Sequence, residues 1–152
     1  MYLVSACLLG LRTRFDGKML KQSGPLIIPL DKIIPFCPEQ LGGLSTPRFP
    51  AEIVDGGGED VLAGRAQIIN SMGENLTESF LRGARESLYL ARLYNAEGIF
   101  LKDGSPSCGS CYIYDGTFSG WQHPGRGVTA ALLNLKGFPV FNETDLFDRE
   151  LT

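Results

Sequence analysis

"GIFLKDGSPSCGSCYIYDG", residues 98–116, decides how the rest of the chain is read. Gly98–Leu101 is apolar and too short for a helix, and it breaks at once into Gly104, Ser105 and Pro106. That is a buried strand handing over to a turn. The turn carries Cys108 and Cys111, and Tyr112–Gly116 behind it reads as a further strand and turn. Working outward, Tyr2–Ala6, Ile33–Phe36 and Phe138–Phe141 have the same short apolar character. Between them lie helices. Asn75 with Glu78 three residues on resembles a capping box, and Leu76, Phe80, Ala84, Leu88 and Ala91 follow at helical spacing, widened by Leu81 and Leu93. Val128–Lys136 makes another, stopped by Gly137. A short helix is read at Lys18–Gln22, and residues 42–62, rich in Gly and Pro, as an irregular excursion. Strands alternating with helices imply an α/β, Rossmann-like three-layer fold, with a small parallel sheet of about four strands and right-handed crossovers.

With 152 residues the chain is expected to form one domain, residues 1–152, with a core of its own. Its net charge is −3 and its pI about 5.1, which leaves no bulk electrostatic footprint for DNA or long RNA. The start, Met1-Tyr2-Leu3-Val4, has no leader pattern, and no apolar run approaches the roughly 20 residues of a membrane span. The expected location is the cytoplasm, where thiols stay reduced. Four cysteines there point to metal binding or catalysis.

Cys7 ends the first strand, Cys37 ends the second, and Cys108 lies in the loop after the third. Strand carboxyl ends line one edge of a parallel sheet, and ligands bind in the crevice there. One such cysteine reads as core packing; three at equivalent positions read as a site. Their chemistry stays open on residues alone. Cys108-x-x-Cys111 is half a zinc site, but Cys7 and Cys37 lack the usual local spacing. A redox dithiol should open a helix, whereas Cys111 runs into a strand. Three thiolates also suit an iron-sulfur cluster with one iron left free as a Lewis acid.

The blocks "VSACLLG" (4–10), "RFDG" (14–17), "CPEQLGGL" (37–44), "PRFPAEI" (47–53), "SPSCGS" (105–110), "IYDGTFSG" (113–120) and "GVTAALL" (127–133) resemble, in order, the bacterial thiouracil desulfidases. The resemblance spans nearly the whole chain. It implies a 4Fe-4S cluster on Cys7, Cys37 and Cys108 at the sheet's carboxyl edge, with one iron not ligated by protein. It also implies catalytic roles for Glu39 and Ser105, and removal of sulfur from 4-thiouracil or 4-thiouridine monophosphate without net electron transfer. Cys111 stands where similar sequences carry a small residue, so it is not an expected ligand. The turn Met72–Asn75 departs from the more usual acidic one, which touches only the helix cap.

The expected partner is therefore a small thiolated pyrimidine or its nucleotide. Arg14, Arg48, Lys102 and Arg126, with the glycine-rich start of the helix at Val128, are read as a phosphate site, which would favour the monophosphate. Phe15, Phe118 and Trp121 could stack a pyrimidine, but each is read first as a core residue, and His123 as exposed. The rival readings are a zinc-stabilised binding domain using all four cysteines, and a redox protein using Cys108 and Cys111.

Overall fold

The four apolar runs form one sheet in the structure, a computed structural model that describes residues 1–148. In chain order the strands are β1 (Tyr2–Ser5), β2 (Ile33–Phe36), β3 (Ala51–Val54), β4 (Gln67–Asn70), β5 (Gly98–Leu101), β6 (Tyr112–Tyr114), β7 (Gln122–Pro124) and β8 (Val140–Asn142). The helices are α1 (Pro38–Leu41), α2 (Gly58–Leu62), α3 (Thr77–Leu93) and α4 (Val128–Leu135). The main sheet runs β2-β1-β5-β8, with each neighbouring pair parallel. It is a mixed α/β arrangement of the Rossmann-like kind.

Alternation along the strands sorts the core into two sides. Leu3, Ile99 and Leu101 pack with Phe80, Ala84, Leu88 and Leu133 of α3 and α4. Val4 and Phe100 face the other way, against Leu8, Ile28, Leu146 and Phe147. The buried stripe of α3 is Phe80, Gly83, Ala84, Ser87, Leu88 and Ala91, the spacing of one helical face. Its start differs from the expected capping box. Leu76 is the N-cap, and the Asn75 side chain accepts from the backbone N–H and hydroxyl of Thr77, forming a turn one residue earlier. The C-terminal reading of α4 holds: Gly137 adopts φ +88° and closes the helix.

Two local expectations fail. Residues 18–22 form no helix. The Gly- and Pro-rich excursion holds β3 and α2, and β3 pairs antiparallel with β4. A four-residue strand between a Pro and three glycines gives too little periodic signal, and its partner lies across α2.

α1 touches α3 where glycines meet. A Cβ on Gly83 would sit 2.1 Å from the Pro38 carbonyl oxygen, and one on Gly42 2.2 Å from that of Ser79. Both obstacles are backbone, so neither can swing aside. Gly83→Ala is therefore expected to lower stability by about 1–3 kcal/mol, the usual cost of overpacking. A urea midpoint equal to that of the unsubstituted protein would show that the two helices have room to part.

Candidate functional site

Three strand ends deliver three thiols to one edge. After β1 a single 3-10 turn, Ala6–Leu9, carries Cys7 and is closed by Gly10 at φ +88°. Cys37 follows β2 as the N-cap of α1, with Pro38 at the first helical position. Beyond β5 the chain loops through Asp103–Ser107 to Cys108, which is buried. All three line one cavity of about 430 Å³, together with Glu39 and Ser105. That volume lies in the ordinary range for small-ligand sites, roughly 300–1,000 Å³.

The loop carrying Cys108 is held by the start of α4. Gly127 N–H donates to the Gly109 carbonyl at 2.8 Å, Val128 N–H to Pro106 at 2.8 Å and Thr129 N–H to Ser107 at 2.9 Å. The hydroxyls of Ser107 and Thr129 meet 2.9 Å apart in a fully buried pair. Gly127 is required, because a Cβ there would come within 2.4 Å of the Ser107 carbonyl carbon. This corrects the expected phosphate site: the first-turn N–H groups of α4 are consumed by loop carbonyls and none is left aimed at an anion. Inside the loop, one oxygen of buried Asp103 accepts from the N–H groups of Gly104, Ser110, Cys111 and Tyr112 at 3.0–3.2 Å. Ser105 Oγ accepts from Ser107 N–H and Cys108 N–H.

The thiols are poor acids as they stand. Burial pushes Cys7 up to about 11, with a further push from Cys37. Cys108 is driven well above its usual range by burial, then by Glu39, Cys37 and Cys7. Cys37 is also raised, by burial and by Glu39, against relief from the Gln40 N–H. Three neighbouring thiolates without a cation would repel one another in a poorly solvated space. A soft cationic centre would reverse that, drawing off the protons on binding. Among the described residues no three His, Cys, Asp or Glu side chains meet closely enough to hold a single metal ion. A four-iron cluster is wider and takes its thiolates at separate corners, so the donor set fits it.

Cys111 stands apart from this set. It is exposed, does not line the cavity, and its sulfur accepts from Asn142 Nδ2 at 3.3 Å. Among the described residues the four cysteines therefore do not gather at one point, as a zinc site on all four would require. A Cys108–Cys111 redox pair would open no helix, because β6 follows directly.

Both oxygens of Glu39 are held by side chains of the cavity. Arg48 Nε donates to its Oε1 at 2.9 Å and Ser105 Oγ to its Oε2 at 3.0 Å. Arg48 is itself fixed by donating to the carbonyls of Thr13 and Ser45 and to Thr46 Oγ1. The expected cations are thus already engaged. Lys102 lines the cavity but its Nζ donates to Glu143 at 2.8 Å; burial lowers its pKa, and Glu143 outweighs this and raises it overall. Arg14 lies at the cavity with Asp16 3.6 Å away. Arg126 is not brought to the site: it is exposed, pairs with Glu59 at 3.0 Å, and lines no part of the cavity. Three of the four basic residues, Arg14, Arg48 and Lys102, thus meet at the cavity, Arg126 does not, and each of the four has a carboxylate partner.

Asp103, Glu52, Tyr112 and Tyr114 also line the cavity, with no site role expected from the sequence. Asp103 had a signal, an aspartate at a strand end before Gly-Ser; the others depend on which loops the fold brings together. Phe15 and Phe118 line the cavity with partly exposed rings, against the core role expected of them. Trp121 is largely exposed, likewise outside the core, and His123 is partly exposed.

Comparison with known proteins agrees with this geometry. Residues 2–145 match the profile of a family described as 2-thiouracil desulfurase. The chain is 48% identical over 149 residues to the uncharacterized protein YbbK of Bacillus subtilis (strain 168), covering 97% of this chain and 99% of that protein. It is also similar to a solved [4Fe-4S]-dependent thiouracil desulfidase, TudS, with 38% identity, a TM-score of 0.80, and coverage of 99% of this chain and 93% of that one.

Asp103 provides a direct test of the loop. Asp103→Ala strands several backbone N–H groups and is expected to cost at least about 2 kcal/mol. Asp103→Asn keeps an acceptor oxygen and should lose less. Equal denaturation midpoints for the two variants would mean that the carboxylate's bonds do not hold the loop.

Proposed function

The chain belongs to the 2-thiouracil desulfurase family, and we propose that it removes sulfur from a thiolated uracil, releasing uracil (or its nucleotide) and sulfide. The observation that carries this reading is the convergence of Cys7, Cys37, Cys108, Glu39 and Ser105 on one cavity. Cys7, Cys37 and Cys108 would hold a 4Fe-4S cluster, and with Cys111 exposed and outside the cavity one iron would be without a protein ligand. When bound, that cluster supplies a soft Lewis-acidic iron suited to a thiocarbonyl sulfur. Four free thiols also suit a reducing compartment, the cytoplasm, and no helix among the described residues is long and apolar enough to cross a membrane.

The protein's own part is proton handling. Water supplies the oxygen that replaces sulfur on the ring carbon, and its two protons leave with sulfide, so no electrons are gained or lost. Glu39 accepts a proton from that water. Arg48 keeps one carboxylate oxygen occupied and aims the other toward Ser105. Ser105 Oγ, which accepts two backbone N–H bonds while donating to Glu39, passes a proton between the ring and the carboxylate. Positioned acid–base groups of this kind contribute about 10²–10⁴-fold in rate.

Two measurements test this reading. Anaerobically purified Cys7→Ser, Cys37→Ser and Cys108→Ser should each lose cluster iron and sulfide, whereas Cys111→Ser should retain both. Cluster loss in Cys111→Ser alone would overturn the ligand assignment. Glu39→Gln should keep its iron but release sulfide from 4-thiouracil about 10²–10⁴ times more slowly. Full turnover in that iron-replete variant would remove Glu39 from the reaction.

A further inference from the structure

One step beyond the last paired residues of β5 and β8, Leu101 and Asn142, stand Lys102 and Glu143. Neighbouring positions on adjacent parallel strands lie close, and the two side chains meet there, Lys102 Nζ donating to Glu143 Oε1 at 2.8 Å. The other oxygen of Glu143 accepts from Asp103 N–H at 2.7 Å. Lys102 is anchored further, its N–H donating to Ser5 Oγ and its Nζ to the Asp103 carbonyl, both at 3.2 Å. This ion pair is polarised. Lys102 lines the cavity along with Cys7, whereas Glu143 does not. The ammonium is thereby presented to the thiols, with its carboxylate partner held outside the lining. Proton handling by Glu39 and Ser105 gives Lys102 no task.

The other charges of the lining are spent locally. Arg48 pairs with Glu39, and because both line the cavity their charges cancel within it. Glu52 and Asp103 each accept backbone N–H groups. Arg14 has only a longer contact, with Asp16 at 3.6 Å. At Cys7 the pull of Lys102 against burial exceeds that of Arg14, and it exceeds the opposing push of Glu143. The positive end of the pair is therefore the one that Cys7 senses. A 4Fe-4S core carried by three thiolates is anionic as a whole, and reduction makes it more so; a nearby cation favours the reduced form and a nearby anion opposes it. We infer that Lys102 is the fixed cation that offsets the charge of the thiolate-bound cluster, that Glu143 is its positioning residue, and that the two act in opposite directions on the cluster's reduction potential. This rests on the desulfidase reading, with its cluster on Cys7, Cys37 and Cys108, and adds charge control to it. A reaction without net electron transfer requires the cluster to keep one oxidation state, and the paired carboxylate limits how far the ammonium favours reduction.

The test is a reductive titration of anaerobically purified, iron-replete enzyme, following the visible absorption of the cluster and the EPR signal of its reduced form. Lys102→Met removes the ammonium and keeps an unbranched chain. It should shift the equilibrium about tenfold toward the oxidised form, a fall in midpoint of about 59 mV for one electron. Glu143→Gln leaves Lys102 an acceptor oxygen without the charge, and should move the midpoint the other way. Lys102→Arg should stay near the unsubstituted enzyme. A merely structural pair would change denaturation midpoints and leave the potential in place. An unchanged potential in Lys102→Met or in Glu143→Gln, or shifts of the same sign in both, would overturn the proposal. If Lys102→Met takes up no iron, the other two variants decide. Iron retained by Lys102→Arg together with a raised midpoint in Glu143→Gln supports the proposal; loss of iron from both lysine variants, or an unmoved midpoint in Glu143→Gln, overturns it. If the unsubstituted protein itself takes up no cluster, the cofactor of the desulfidase reading falls and this proposal with it. If it is loaded and active while the potentials do not move, only this proposal falls.

Discussion

The first turn of α4 donates its backbone N–H groups to the carbonyls of Pro106, Ser107 and Gly109, and the site depends on that contact. A helix start has N–H groups without partners of their own, and here they meet a loop with carbonyls to satisfy. Each such bond contributes only about 0.5–1.5 kcal/mol net, but leaving a buried N–H or carbonyl unpaired costs more. The contact is thus more selective than it is strong. It fixes where Cys108 can be, and through Ser105 it sets the position of the group that bonds Glu39. The Asp103 carboxylate completes the loop from within by gathering four N–H groups on one oxygen.

Electrostatics then separate the cavity into parts with different tasks. Cations and carboxylates are matched in pairs, so its charged lining acts as scaffolding and not as a trap for ions. The three thiols are the exception: burial and mutual repulsion keep them protonated until a soft cationic group offers compensation. Coupling between cofactor and fold follows, since the same three loops that hold the thiols also carry Glu39 and Ser105. Arg48 ties these loops to a fourth. It pairs with Glu39 while donating to carbonyls at Thr13 and Ser45.

Much of this was legible in the residues. Short apolar runs bounded by Gly and Pro mark strands because only four or so residues are needed to cross a small parallel sheet. Phe80, Ala84, Leu88 and Ala91 mark α3 because a helix must repeat its buried face every three or four residues. The three-thiol edge was legible because parallel strands all end on the same side. Residues 42–62 were not, because β3 draws its order from β4, a partner that no local pattern announces. The N-terminus of α4 was misread for a similar reason: residue types reveal that N–H groups are available, but not what will occupy them.

The amino-acid sequence by itself determined the alternation of strands and helices and the side of the sheet where Cys7, Cys37 and Cys108 would emerge. These follow from periodicity and chain order, which are properties of short segments. Only the tertiary structure decided which charges are spent on one another. Arg48 lies nine residues from Glu39, Lys102 forty-one from Glu143, and Arg126 sixty-seven from Glu59. Such pairs form when packing brings separate loops within hydrogen-bond distance, and no local preference encodes them. The same holds for Phe118, which lines the cavity from a loop that Glu52, on β3, clasps through two backbone N–H groups.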